Sequence, residues 1–167
     1  MKNIKHPIFV SVFLLLLGCG PYSFTGVQDL KAKTFQVNYF QNTSDLIEPG
    51  FDRDFKLALE DLIVNQTNLN ITTSNGELIY EGEIVEYRIS PTTAQSNSTA
   101  AQNRLSVTVN LRFFDTTNPE EEFEQRFSHF FDYPGSQLLQ GTQKDAAHEE
   151  IFERITQDIF NATLAKW

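Results

Sequence analysis

The chain has a single cysteine, Cys19, among 167 residues, so no disulfide can form within it and its stability must come from packing. Basic residues are also few, 13 Lys and Arg against 22 Asp and Glu, for a net charge of −9 at pH 7. A general nucleic-acid binder needs a phosphate-neutralising basic surface, and a polybasic membrane contact needs a local cluster; the sequence shows neither. Histidines number three, His6, His129 and His148, and no His-Glu-x-x-His spacing for zinc is present. Ser90, Ser106 and Ser128 lack a Gly-x-Ser-x-Gly elbow. No glycine-rich phosphate loop appears, and no internal repeat. The sequence therefore presents no catalytic constellation, and the expectation is a protein that is not an enzyme. The longest apolar run, Ile8 to Leu17, is about ten residues, half the roughly 20 that a membrane-spanning helix needs.

That short run is informative in its place. Lys2 and Lys5 precede it, and Leu16-Leu17-Gly18-Cys19 closes it. A basic start, an apolar core and a small residue before the cut make a secretion signal. A cysteine just after the small residue resembles the bacterial lipoprotein signal, in which a peptidase cuts before the cysteine. The thiol then carries diacylglycerol and the freed amine a further acyl chain such as palmitate. Three chains give firm anchoring, since two lipid signals already suffice. The expectations are a cleaved segment 1–18, lipid attachment at Cys19, a lipidated segment 19–33 and one folded domain over 34–167. Removing the first 18 residues leaves 149, with 11 basic residues against 22 acidic ones, a net of −11. The covalent lipid apart, no cofactor and no metal is expected. Gly20, with no acid following it, resembles the signals of lipoproteins sent to the outer membrane and left facing the periplasm.

Taken in order, Thr34–Phe40 alternates β-branched and aromatic residues and reads as a strand. A helix from about Pro49 to Gln66 follows, with Phe51, Phe55, Ala58, Leu59, Leu62 and Ile63 on one stripe. Leu69–Thr73 reads as a short strand, and Asn75-Gly76 as a turn. Glu77–Ser90 is a second long strand whose inward set changes face at Ile84-Val85, the mark of a bulge or of a strand end that extends past the helices, with Pro91 as its end. Thr92–Asn103 carries no charge and reads as a long, mobile hairpin loop. Arg104–Asp115 alternates throughout: Leu105, Val107, Val109, Leu111 and Phe113 inward, Arg104, Ser106, Thr108, Asn110 and Arg112 outward. Glu122–Tyr133 puts Phe123, Phe127 and Phe131 on the core face with Gln125 and His129. A last helix spans about Gln143 to Ala165, with Thr142 as its N-cap and Phe152, Ile155, Ile159 and Ala162 as its buried stripe. The fold class is α+β: a single domain in the order β-α-β-β-β-α, two helices on one face of a mostly antiparallel sheet.

The outward arginines are the binding candidates. Arg112 and Arg126 are expected to form cross-strand ion pairs with Glu81, Glu83 and Glu124. Arg88 and Arg104 flank the uncharged loop, which supplies no acid to pair with them, and a hairpin brings them near each other.

Cys19-Gly-Pro-Tyr-Ser-Phe-Thr-Gly26, the stretch Gly76–Ile84 and the β-α-β-β-β-α order together resemble the lipopolysaccharide-assembly lipoproteins, the LptE-like family. The resemblance covers nearly all of the chain from Cys19 on. It implies a non-enzymatic lipoprotein, anchored to the outer membrane on its periplasmic face. Such a protein plugs and helps assemble a large β-barrel translocon of the LptD type and contacts lipopolysaccharide on its way to the outer leaflet. Arg88 and Arg104 become the candidate lipopolysaccharide-binding residues by their position at the loop. A periplasm-facing lipoprotein that adapts or activates a cell-wall enzyme fits the same small fold, because a fold does not fix a function.

Overall fold

A computed structural model describes residues 30–92 and 102–165. The lipobox with Cys19, and the interior of the uncharged loop, lie outside the described residues. The elements follow as β1 (Thr34–Asn42), α1 (Phe51–Gln66), β2 (Asn70–Ile71), β3 (Leu78–Thr92), β4 (Gln102–Asp115), a 3-10 turn (Pro119–Glu121), β5 (Phe123–Pro134) and α2 (Thr142–Thr163). The expected α+β order is what the structure has.

The five strands form one mixed sheet in the order β2-β1-β3-β4-β5. β1 lies parallel to both β2 and β3, whereas β3–β4 and β4–β5 are antiparallel. Topology explains the mixture. The chain leaves the end of β1, returns as α1 and re-enters the sheet at the start of β1, first as β2 on one side and then as β3 on the other, and a helical return of this kind makes neighbouring strands parallel. Both helices lie on the same face. Phe35, Val37 and Phe40 of β1, Tyr80 and Ile84 of β3, and Leu105, Val107, Val109, Leu111 and Phe113 of β4 meet them there, each at most 5% exposed. From α1 come Phe51, Phe55, Leu59 and Ile63, and from α2 Ile151, Ile155, Ile159 and Phe160. Phe40 and Phe55 meet edge to face at 5.1 Å, joining strand to helix.

The bulge at Ile84-Val85 is present: Ile84 pairs with Val109 and Glu86 with Thr108, so Val85 is the extra residue. Beyond it Tyr87, at the old outward parity, turns into the core.

Some expectations shift. Pro91 does not end β3, which runs to Thr92, with Pro91 opposite Asn103 and Thr92 opposite Gln102. Past Ile84 β3 has lost β1 as a neighbour, and an edge tolerates a proline that an interior strand would not. The stretch expected as loop is therefore shorter at both ends. α1 begins two residues after Pro49, because Gly50 at φ 82° is the N-cap, a left-handed position that glycine takes cheaply. α2 is likewise capped by Gly141 rather than Thr142, with no side-chain cap, and the Asp145 N–H bonds to the Gly141 carbonyl at 3.0 Å. Its buried stripe is rotated from the expected one. Ile151, Thr156, Phe160 and Thr163 are buried with Ile155 and Ile159, while Phe152 and Ala162 are half-buried at the border. Phe152 is spent on the other helix, 4.8 Å from the Phe51 ring.

Candidate functional site

β1, β3 and β5 all run towards one end of the sheet, which also receives the start of β4. At that distal end lie the loop 43–50, the last residues of β3 with the first of β4, and the loop 135–141. Residue 30, from which the sequence leads back to Cys19, is at the opposite end beside the start of β1.

Both candidate arginines are distal. Arg88 stands opposite Ser106 and Arg104 opposite Ser90, so they occupy diagonal positions on the helix-free face, as the hairpin reading required. Neither is without an acid. The Arg104 guanidinium donates from Nε at 2.7 Å and from a terminal nitrogen at 2.8 Å to the two oxygens of Asp132, a bidentate clamp across β4–β5. It also lies 3.6 Å above the Phe130 ring. The hydrogen bond to Arg104 holds the Asp132 carboxyl below its usual range, and Arg104 itself is pushed up by the same bond. Arg88 donates to Glu86 at 2.9 Å from a largely exposed position. The acids come from neighbouring strand positions, not from the loop, which is why a search along the loop does not find them.

Some apolar surface adjoins the arginines: the Arg104 guanidinium covers the exposed Phe130 ring, and exposed Leu46 and Ile89 line one groove with Arg88. That open groove, along β3, also takes in Asp45, Glu86, Thr108 and Arg126. Ile47 and Leu138, on the loops 43–50 and 135–141, are exposed as well. A surface that sets guanidinium groups beside bare aliphatic and aromatic side chains can hold an amphiphile, phosphate on one part and hydrocarbon on the other.

The other expected ion pairs divide. Arg112 bridges Glu81 at 3.3 Å and Glu83 at 3.5 Å, as anticipated. Arg126 has no acidic partner among the described residues. It stands opposite Asn110, while Glu124 stands opposite Arg112 and accepts from Asn110 Nδ2 at 2.6 Å. Thr108 is a further correction. It faces away from the helices as expected, yet it is buried, its hydroxyl donating to Glu86 Oε2 at 2.9 Å and lying 2.9 Å from Ser128 Oγ.

Sequence reasoning passed over two polar contacts under the helices. The Tyr87 hydroxyl and His148 Nε2 are 2.9 Å apart, with the His148 ring 4.8 Å from Phe51. Burial holds His148 below its ordinary pKa and pushes the Tyr87 hydroxyl well above its own. Deeper in, the Tyr80 hydroxyl donates to Thr163 Oγ1 at 3.2 Å. The single extra residue at the bulge, Val85, is what turns Tyr87 towards His148, and a bulge is visible in sequence only as broken alternation. His129 is half-buried on β5, 4.0 Å from Glu150. Among the described residues no group of three or more His, Cys, Asp or Glu could hold a metal ion.

Residues 32–163 match the family model described as LptE, Lipopolysaccharide-assembly. No curated protein matches the chain. Among solved structures, the PelC dodecamer from Paraburkholderia phytofirmans is similar at 11% identity, covering 81% of this chain and 92% of its own, with a TM-score of 0.48. A minor lipoprotein from Acinetobacter baumannii is similar at 14% identity, covering 80% and 92%, with a TM-score of 0.45. The rare lipoprotein B from Shewanella oneidensis is similar at 14% identity, covering 76% and 89%, with a TM-score of 0.39.

Proposed function

Since the chain belongs to the LptE lipopolysaccharide-assembly family, we propose that it is an outer-membrane lipoprotein that plugs and helps assemble an LptD-type β-barrel. In that role it assists insertion of lipopolysaccharide into the outer leaflet. The family match over residues 32–163 carries the reading. Anchoring through acyl chains on Cys19 would leave the domain on the periplasmic face, with its distal end the far one. β3 alone is 15 residues, about 50 Å of strand at roughly 3.3 Å per residue. Arg88 lies ten residues, and the level of Arg104 twelve residues, past the start of β3, so about 33–40 Å of strand would separate the anchored end from the arginines. A domain reaching into a barrel would lead with that distal end, and its mixed guanidinium and hydrocarbon surface suits a phosphorylated glycolipid.

The engagement of Arg104 by Asp132 sets a condition on the glycolipid contact. Phosphate must displace or share the carboxylate at Arg104, whereas Arg88, tied only to Glu86 and mostly exposed, is free to swing. Arg88 is therefore the first point of contact and Arg104 the second. Affinity purification from detergent-solubilised outer membrane tests the partner, and a large barrel should co-purify. Recovery of a cell-wall enzyme without a barrel would replace the plug with the adaptor reading. Binding of purified lipopolysaccharide tests the contact: Arg88→Glu should weaken it more than Arg104→Gln, and unchanged binding in the double variant would reject these arginines.

A further inference from the structure

β2 and β3 lie on opposite sides of β1, so the loop 72–77 between them has to cross it. The crossing is made at Gln36. A Cβ on Gly76 would lie 2.6 Å from Gln36 Cβ and 2.8 Å from the Gln36 backbone nitrogen, so only glycine fits. Asn75 before it is exposed and stands at φ 55°, a left-handed position that asparagine tolerates better than most residues. The turn thus requires Asn-Gly, the dipeptide most open to attack by its own main chain.

In that reaction the Gly76 amide nitrogen gives up its proton to solvent and bonds to Asn75 Cγ. The bond from Cγ to the side-chain nitrogen breaks, ammonia leaves, and a succinimide ring closes. Water then opens the ring at either carbonyl. One opening gives aspartate at position 75. The other gives isoaspartate, in which the main chain runs through the former side chain and is one CH2 longer.

The fold holds the nucleophile back. Gly76 is buried, and its N–H donates to Gln36 Oε1 at 3.2 Å. Gln36 is itself aimed: its Nε2 donates to Asn38 Oδ1 at 2.5 Å, and Asn38 Nδ2 to Glu81 at 3.1 Å. A hydrogen bond that the neutral amide makes and its anion cannot make opposes loss of the proton. Beside it the Glu77 carboxylate accepts from the Lys33 and Thr34 amides, and the Glu77 N–H donates to Thr34 Oγ1 at 3.1 Å. The loop therefore fastens the start of β1 at the end from which the sequence leads back to Cys19.

We propose that Asn75-Gly76 is a deamidation site gated by Gln36, and that its isoaspartate product loosens the fastening of loop 72–77 to the start of β1. This goes beyond the barrel-plug reading and does not depend on it.

The test uses the full chain purified in detergent and held in mildly alkaline buffer, with position 75 followed by peptide mapping and mass spectrometry. Chain unfolded in urea should convert fastest, and the folded parent about tenfold or more slowly. Gln36→Ala releases the Gly76 amide and should raise the folded rate about two- to tenfold. Thr108→Val, which weakens the fold elsewhere, should raise it less. Asn75→Gly suits the same backbone position and has no amide to lose, so it should not convert. The isoaspartate form, separated by chromatography, should melt below both the parent and Asn75→Asp, which adds the charge without the extra CH2. Hydrogen exchange at the Gly76 amide of the unsubstituted chain reads the gate independently, even should Gln36→Ala fail to fold, and should be slow. Exchange as fast as in urea overturns the proposal, as do equal conversion in folded and unfolded chain or none in either. So do a Gln36→Ala rate no higher than the parent's or no higher than that of Thr108→Val, and an isoaspartate form as stable as the parent.

Discussion

The two faces of the sheet use the same alternating strands for opposite ends. Under the helices, β4 contributes Leu105, Val107, Val109 and Leu111, each fully buried, and the neighbouring strands add aromatic rings. On the other face the same strand offers Ser106 and, tied to β3 and β5 by hydrogen bonds and ion pairs, Arg104, Thr108, Asn110 and Arg112. Apolar burial at about 25 cal/mol per Å² dominates on the first face. Partly exposed polar pairs on the second are worth about 0.2–1 kcal/mol each. One face holds the fold together, then, and the other is available for recognition at little cost in stability.

The sharpest way to break this contrast is to place charge on the covered side. Val109 is fully buried, paired with Ile84 and Phe127 across the sheet. Val109→Asp would bury an unpaired carboxylate, costing several kcal/mol against a typical total of about 5–15. Thermal and urea unfolding should show a chain that is largely unfolded or melts far below the parent.

Thr108, one residue away, sharpens the comparison because it violates it. On alternation alone Thr108→Asp is harmless. The structure puts the new carboxylate in a nearly closed seam where Thr108 now donates to Glu86. The variant loses a donor and gains a like charge, and about 1–3 kcal/mol should be lost. Thr108→Val keeps the shape and leaves Glu86 without that donor, for about 1 kcal/mol. Denaturant midpoints for the pair would show whether the seam contributes as described; a Thr108→Asp protein as stable as its parent would not fit it.

What could be read from sequence follows the same division. The covered face announced itself, because a row such as Leu105 to Phe113 has only one way to be buried. The change of face at Ile84-Val85 was legible too, although alternation alone left a bulge and an overhanging strand end as alternatives, and the register with β4 decides for the bulge. The bare face showed its residue types but not its pairings. Register decides those: it sets Glu124 opposite Arg112, leaving Arg126 with Asn110, and it brings Asp132 to Arg104 from a strand 28 residues on. Helix caps were misplaced for a related reason. Gly50 and Gly141 cap by backbone conformation, which leaves no side-chain signature comparable to a threonine or aspartate.

His148 connects the covered face to pH. Burial lowers its pKa in the folded protein, against the opposing pull of Glu48, so the native state favours the neutral ring. The unfolded chain takes up the proton nearer the ordinary value of about 6.5. Below that value the unfolded state binds more protons, so stability falls as pH drops through 6.5 towards the lowered native pKa. Melting temperatures from pH 7.5 down to 5.5 should decline in the parent. His148→Gln keeps a polar group near the Tyr87 hydroxyl and has no proton to gain, so its decline over this window should be shallower. Parallel curves would mean His148 does not carry the effect.

The smallest effect belongs to the bare face. Arg112 sits between Glu81 and Glu83, with more than a third of its side chain exposed, and Asn38 Nδ2 also donates to Glu81 at 3.1 Å. Arg112→Ala removes two long, solvent-screened ion pairs and leaves Glu81 a remaining donor. The loss should be under about 1 kcal/mol in low salt. It should shrink further near 1 M salt, where the screening length is about 3 Å, comparable to the ion-pair distances themselves. Unfolding of parent and variant at both ionic strengths checks it. A salt-insensitive loss as large as that of Thr108→Asp would mean the bare face carries packing energy as well, and would remove the distinction between the face that folds the protein and the face left free to bind.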